Sequence, residues 1–570
     1  MAEPIIQFDH VSFQYDSQAE PTLHDVSLTI ARGEKVLIVG PSGSGKSTLG
    51  NLINGLIPHA IPGKLTGKVT VCGQDVAASS VFDLSQHVGT VLQDPDSQFV
   101  GLTTAEDIAF ALENDGAPVP EMHERVAAVA KTLGISGQLT QSPQDLSGGQ
   151  KQRTAMAGVL IDNGQVLLFD EPLAALDPAT GKSSIKLIED LHARLDVTVV
   201  IIEHRLEDVL TQPVDRVLVI DNGQLIADVT PSDLLHSALL PQIGVRSPLY
   251  LQALTAAGVD LATVTGIASV QTVAAPHLES RLRAWSAAEP AAPRRQVGEP
   301  LLTIQGLRFG YDRHTQIFKD LDLTINRGDM VALVGRNGVG KTTLSQLLVG
   351  FEQPQAGTMR FAGTDLKTLS IKERADRIGY IMQDPNQMIS KNLIRDEVGL
   401  GLDLRGVPAA ERDARVDEAL RICGLYEFRH WPISALSFGQ KKRVTIAAIL
   451  VLQPAMMILD EPTAGQDWRH YTQMMRFLES LNQEHGMTIM LITHDMHLML
   501  EYASRTIVLG DDGILMDAAP ARVLSDTGVI EAASLAETSL YQLAQRFGLD
   551  PDRFTGQVIE HERQGMSHDE

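Results

Sequence analysis

Short apolar runs recur along the chain, and they are too continuous to leave one side facing water. Val166–Phe169, Val197–Ile202, Met456–Leu459 and Thr488–Ile492 carry no charged residue. Runs of this length read as strands buried on both faces. Shorter β-like openings at Ile5–Phe8 and Leu301–Ile304 lead into strand–loop–helix units. That alternation predicts an α/β core. The stretch Ile57–Gly63, with its Pro and Gly, breaks the pattern and reads as a loop.

The pattern occurs twice. Leu37–Thr48 recurs as Ala332–Thr343, Gln93-Asp94-Pro95 as Gln383-Asp384-Pro385, and Leu146-Ser147-Gly148-Gly149-Gln150 as Leu436-Ser437-Phe438-Gly439-Gln440. Asp170-Glu171-Pro172 recurs as Asp460-Glu461-Pro462, and Ile202-Glu203-His204 as Ile492-Thr493-His494. Lys341 follows Lys46 by 295 residues, whereas Gln383, Ser437, Glu461 and His494 follow their counterparts by 290, so the first half holds an insertion near Ile57–Gly63. A repeat this long is a duplicated domain rather than a solenoid. Beyond each core, Leu249–Leu254 before Gly258 resembles Leu540–Ala544 before Gly548, a helical extension on each half. The expected organisation is a first core at 1–232, a helical extension at 233–286, an Ala/Pro-rich tether at 287–300, a second core at 301–520, and an extension with a polar tail at 521–570.

Composition narrows the partners. The 570 residues are 44% hydrophobic and 21% charged, with a formal net charge of -24. A chain this acidic is a poor match for nucleic-acid phosphates. Two cysteines, Cys72 and Cys423, sit one in each half and fit a reducing compartment. The opening residues show no basic segment leading into an apolar one, and no apolar run reaches the ~18–20 residues of a membrane span. The expectation is a cytoplasmic chain that can dock on a membrane protein.

The repeated motifs carry phosphate chemistry. Both halves contain G-x-x-x-x-G-K-[ST] after a buried strand: Gly40, Ser42, Gly43, Gly45, Lys46, Ser47 and Thr48, then Gly335, Asn337, Gly338, Gly340, Lys341, Thr342 and Thr343. Glycines let the backbone curl its amides toward phosphate oxygens, and the following helix presents its positive end to the same anion. Lys46 and Lys341 are the β/γ-phosphate ligands expected of such a loop, and Ser47 and Thr342 the Mg²⁺ ligands. Asp170 and Asp460 end apolar strands, where a carboxylate needs a partner, and Mg²⁺ is the natural one. Glu171 and Glu461 are placed to accept a proton from an attacking water, and His204 and His494, one strand further on, to orient it.

With Leu146–Gln150 in place, the chain resembles the ATP-binding cassette (ABC) ATPases across nearly all of both halves. The resemblance implies two tandem P-loop ABC nucleotide-binding domains that bind ATP and Mg²⁺ and hydrolyse ATP. It implies that the signature of each half closes over the ATP of the other, pairing Lys46 with Ser437 and Gly439, and Lys341 with Ser147 and Gly149. It places Gln93 and Gln383 in the nucleotide and Mg²⁺ shell, Tyr15 and Tyr311 against adenine, and Asp177 and Asp467 in the interface loops. Phe438 departs from the family pattern, which has glycine there. Both halves keep lysine, glutamate and histidine, so two competent sites are expected, with the Phe438 site slower.

The segments after the glutamines narrow the family. Gln93–Phe99 leads to Glu106-Asp107, and Gln383–Met388 to Asp396-Glu397. This resembles the energy-coupling-factor (ECF) importers, in which two ATPases drive a membrane coupling (T) subunit and a small membrane substrate-binding (S) subunit. The resemblance implies that one such chain sits at the cytoplasmic face of the membrane, without nucleic acid. Glu106, Asp107, Asp396 and Glu397 would receive arginine-bearing coupling helices. The substrate would be a vitamin, precursor or metal ion, and the Gly55–His59 stretch resembles ATPases assigned to thiamine or its pyrimidine precursor. Two other tandem ABC groups, ribosome-binding translation factors and sugar-importer ATPases, fit less well. The former carry a charged linker, and the latter a degraded second phosphate loop.

Overall fold

The computed structural model describes residues 3–162, 164–174, 176–290, 298–312, 315–463, 466 and 468–566. The chain forms two compact units, the first built around residues 1–282 and the second around 283–466 and 470–570. Each unit contains the same two sheets. In the first, a six-stranded sheet runs in the order Gln224–Val229, Arg216–Asp221, Lys35–Val39, Thr198–Ile202, Val166–Asp170, Val88–Val91. All neighbours in it are parallel except the edge pair Gln224–Val229 and Arg216–Asp221. A four-stranded antiparallel sheet is led by Pro4–Tyr15. The second unit repeats both sheets, with Met330–Val334, Met456–Asp460 and Thr488–Ile492 in the central places.

The uninterrupted apolar runs are the central parallel strands, and every residue of Lys35–Val39, Thr198–Ile202 and Met330–Val334 is buried. Burial on both faces follows from what covers them. Leu49, Leu52 and Ile53 of the helix Lys46–Ile53 share one core with Val200 and Ile202 of one sheet and Phe8 and Phe13 of the other. Leu344, Leu347 and Leu348 of the helix Lys341–Val349 do the same in the second unit. The helix that follows each phosphate loop is thereby fixed between two sheets.

The insertion falls between two pairs of matching glycines. Gly55 and Gly350 end the two helices with φ of 76° and 89°, and Gly67 and Gly357 recur in the next strand pair with φ of 82° and 90°. Between them the first unit adds a short helix, Leu56–His59. The residue lying over the helix end differs accordingly. In the first unit it is Leu84, fully buried, whose Cδ1 would stand 2.3 Å from a Cβ on Gly55. In the second it is Arg374, 1% exposed, donating to the carbonyls of Leu347 at 2.9 Å and Leu348 at 3.4 Å. A guanidinium there satisfies orphan carbonyls and favours the negative end of the helix.

The helical extensions form as expected, with Leu249–Ala256 in the first unit and Ser539–Arg546 and Pro551–Met566 in the second. Residues 283–289 pack in the second unit. Trp285 meets Phe554 edge-on at 5.9 Å, and Gln557 donates to the carbonyls of Ser286 and Glu289 at 2.9 and 2.6 Å.

Replacing Arg374 with leucine strands the carbonyls that end the phosphate-loop helix. The expected loss is about 2–4 kcal/mol in the second unit, seen as an earlier thermal unfolding transition, with the first unit's transition unmoved.

Candidate functional site

Parallel register assembles the site in each unit. Ile38 and Asp170 both pair with Ile202 from opposite sides, so the strands Lys35–Val39, Val166–Asp170 and Thr198–Ile202 end level with one another. In the second unit Leu333 and Asp460 both pair with Ile492. The phosphate loop, the Asp-Glu pair and the histidine therefore leave the carboxyl ends of three adjacent strands, where open α/β sheets bind ligands.

The phosphate loops have the curled backbone their sequences require. Gly45 and Gly340 take φ of 102° and 107°, and a Cβ on them would lie 2.7 Å from Leu23 and 2.5 Å from Ile317. Lys46, 5% exposed, donates to the carbonyls of Gly40 at 2.9 Å and Pro41 at 2.7 Å. Lys341 does the same to Gly335 at 2.7 Å and Arg336 at 3.0 Å. Each ammonium is seated on its own loop, at the start of a helix whose positive end suits an anion. Tyr15 and Tyr311 rest on these helices through hydroxyl contacts to Thr48 at 2.9 Å and Thr343 at 3.2 Å, and Tyr311 also donates to Gln346 at 3.0 Å.

Hydroxyl and carboxylate converge beside each lysine. Ser47 donates to Asp170 at 3.4 Å, and Thr342 to Asp460 at 3.1 Å. Tyr380 adds a second donor to Asp460 at 3.2 Å. Burial raises both aspartates, and Glu171 beside Asp170 raises it further, while Thr342 and Tyr380 hold Asp460 back. Buried oxygen donors of this type fit a hard dication such as Mg²⁺, which would relieve the burial cost.

The two glutamates share a backbone and differ in partners. Glu171 and Glu461 sit at φ of 50° and 46°, a left-handed conformation that costs a non-glycine residue about 1–3 kcal/mol. Their amides still bond the neighbouring strand, Glu171 to Ile202 and Glu461 to Ile492, both at 2.9 Å. The Glu171 carboxylate lies between His204 Nε2 at 2.7 Å and Gln93 Nε2 at 2.6 Å. Glu461 Oε1 stands 3.4 Å from His494 Nε2 and finds no hydrogen bond. Burial pushes Glu171 up, but the hydrogen bond and charge of His204 outweigh it, leaving the group below the ordinary value. Glu461 lacks that bond, and burial, reinforced by Asp460, pushes it up to about 8. Gln383 is exposed, as is its counterpart Gln93.

The signature serines cap helices. Ser147 opens Gly148–Leu160 and Ser437 opens Phe438–Leu450, each in a reciprocal capping box with Gln150 or Gln440. This places Gly149 and Gly439 in the first turn, where amides have no helical acceptor. Asp177 caps Pro178–Leu195 by accepting from Thr180 at 2.9 Å. Asp467 lies outside the described residues.

Three buried residues escape the motif reading. Glu203, 2% exposed and raised by burial, accepts the amides of Leu173 at 3.0 Å, His204 at 2.6 Å and Arg205 at 3.1 Å, so it fixes the histidine's loop. A carboxylate ending an apolar strand was its signal, the same one that marks Asp170. Gln152 and Lys442 occupy one repeat position with different chemistry, and that mismatch was legible. Lys442 is held down to about 8 by burial.

Comparison with known proteins decides the family. A family profile described as "ABC transporter" matches residues 23–174 and again 318–464. The chain belongs to the ABC transporter family. A second profile, described as "ATP-binding cassette cobalt transporter", matches 237–309. A Lactiplantibacillus plantarum protein is 58% identical over 99% of this chain and 100% of its own length, and an Enterococcus faecalis protein 53% identical over 99% of each. Both are named as inferred ABC transporter ATP-binding proteins. Among solved structures, that of cbiO1 from Clostridium perfringens, described as part of the ABC transporter complex cbiONQ, is 33% identical and covers 41% of this chain and 94% of its own, with a TM-score of 0.39. The chain is thus the ATP-binding subunit of an ABC transporter and an ATP hydrolase with tandem ABC domains. No helix among the described residues is long and apolar enough to cross a membrane.

Exchanging Lys46 for methionine removes the ammonium seated on the first unit's glycine-rich loop. A titration with fluorescent ATP should show one of two sites weakened on the order of 100-fold, and Lys341→Met should weaken the other.

Proposed function

We propose that this chain powers an importer of the energy-coupling-factor kind for a small micronutrient, with a metal ion favoured over a vitamin precursor. The observation that carries the reading is the match of residues 237–309 to a profile described as a cobalt transporter. It covers the helical extension and the entry to the second half, which are separate from the ATP chemistry. Two ATP sites would form, each from the lysine loop of one half and the signature serine and glycine of the other. Ser47, Asp170 and Gln93, or Thr342, Asp460 and Gln383, would hold Mg²⁺, which supplies charge neutralisation at the phosphates. Glu171 and Glu461 would take the proton of the attacking water. His204 and His494 would orient that water, and Tyr15 and Tyr311 would stack on adenine.

The membrane partners are read from the helices after the glutamine loops. Asp107 accepts the amides of Val100 at 2.8 Å and Gly101 at 3.0 Å, and Glu397 those of Ser390 at 2.8 Å and Lys391 at 2.7 Å. These two carboxylates hold the loop's shape. Glu106 and Asp396 remain exposed beside Val100, Leu102 and Phe110 in one unit and Leu393 and Trp431 in the other. Acid beside exposed apolar side chains suits an amphipathic coupling helix with a basic residue. The membrane coupling and substrate-binding subunits would dock there, at the cytoplasmic face, with one chain per complex.

Two measurements test this. Turnover in Glu171→Gln isolates the second site and in Glu461→Gln the first. A base raised to about 8 must lose its proton before it works, so the second site should fade as pH falls through that value. The first, whose base lies below the ordinary value, should hold its rate far into the acid range; coincident profiles would sink the assignment. Separately, Glu106→Arg with Asp396→Arg should cut recovery of small hydrophobic membrane proteins in a mild-detergent pull-down on the order of tenfold. Recovery of ribosomal proteins instead would favour the translation-factor reading.

A further inference from the structure

Beneath the two signature turns the halves differ in three linked positions. The first half has Gly148, Gln152 and Ser184, and 290 residues on stand Phe438, Lys442 and Met474. Gln152 donates to the Pro172 carbonyl at 2.6 Å and accepts from Ser184 at 2.7 Å. Its amide thus ties the turn after Glu171 to the helix Pro178–Leu195. In the second half Met474, 2% exposed, has no proton to donate as Ser184 does. Lys442, also 2% exposed, instead donates to the carbonyls of Glu461 at 2.9 Å and Pro462 at 2.8 Å, and its ammonium stands 5.4 Å from the ring centre of Phe438. A buried ammonium needs acceptors on all sides, and two carbonyls with one aromatic face supply them.

Lys442 grips the carbonyl of Glu461 itself, the residue at φ 46°. A left-handed non-glycine residue persists only where its surroundings hold it. Here the amide side is held by Ile492 at 2.9 Å and the carbonyl side by Lys442. We propose that Lys442 is a positioning residue of the second site, coupling Phe438 in the second signature to the turn that aims Glu461. The inference rests on Glu461 being the residue that takes the water's proton. Phe438 lies between Ser437 and Gly439, so on this proposal a phosphate arriving at those amides would shift the ring that stands 5.4 Å from the Lys442 ammonium. The second half then reports occupancy of its signature to its own glutamate through one side chain, while the first half uses a neutral amide anchored to a helix.

The test uses the purified full chain with Glu171→Gln, and reads kcat and KM for ATP together with melting temperature. Lys442→Met should lower kcat on the order of tenfold or more while KM moves less than about twofold. Phe438→Gly and Lys442→Gln should each lower kcat, and the double variant should lose less than the product of the two. Independent effects, equal changes in kcat and KM, or losses that merely follow melting temperature would overturn the coupling. If the methionine variant does not fold, Lys442→Gln, which carries the first half's residue, supplies the comparison. If Glu171→Gln is silent because the sites fire only together, the same ratios are read with Glu171 retained. Turnover that survives Glu171→Gln with Glu461→Gln would instead reject the proton-acceptor reading and leave the coupling's own arms to be judged by the double variant.

Discussion

The pairing of Asp170 with Ile202, and of Asp460 with Ile492, is the constraint from which both sites follow. Each aspartate is the last residue of a strand buried on both faces. Sliding the strand one residue inward would carry a carboxylate into an apolar core, and sliding it outward would expose Phe169 or Leu459. Register is therefore fixed by the cost of burying charge. The chain must turn sharply at the next residue, and in both halves that residue is a glutamate whose amide still reaches the neighbouring strand. The left-handed bend brings its carboxyl back over the strand ends, level with lysine and histidine.

The same burial that fixes the register sets the electrostatics, and the halves meet it differently. In the first, Glu171 is ionised between His204 and Gln93, and a further buried acid, Glu203, is satisfied by three amides. In the second, Thr493 replaces Glu203, and a cation, Lys442, enters beneath the turn. One half stabilises anions by hydrogen bonds, and in the other burial, with Asp460 alongside, pushes the glutamate up to about 8. Identical motif letters thus surround groups of different proton affinity.

Most of the architecture was legible because its causes are local. Glycine spacing and an acid ending an apolar run each follow from a few adjacent residues, and the repeat supplied a second copy of each. What stayed hidden depends on residues remote in sequence. No pattern indicates that Tyr380 meets Asp460, or that Arg374 rather than an apolar residue lies over the helix Lys341–Val349. The acidic pairs show both cases. Their place at a helix start was readable, but the use of Asp107 and Glu397 to hold their own loops appears only when the chain folds. The roles of Gln152 and Lys442 were half visible, as a disagreement between repeats without a geometry to explain it.

Phe438 also shows what a tandem polypeptide permits that two identical subunits do not. In an assembly of two identical subunits every substitution appears twice, so a change that suits one nucleotide site and harms the other has no way to persist. A tandem chain has no such symmetry. Its two signatures are separate positions, so a bulky ring stands in one while Gly148 stands in the other, and Gln152 and Ser184 in the first half correspond to Lys442 and Met474 in the second. Each half can thus carry its own chemistry within one polypeptide.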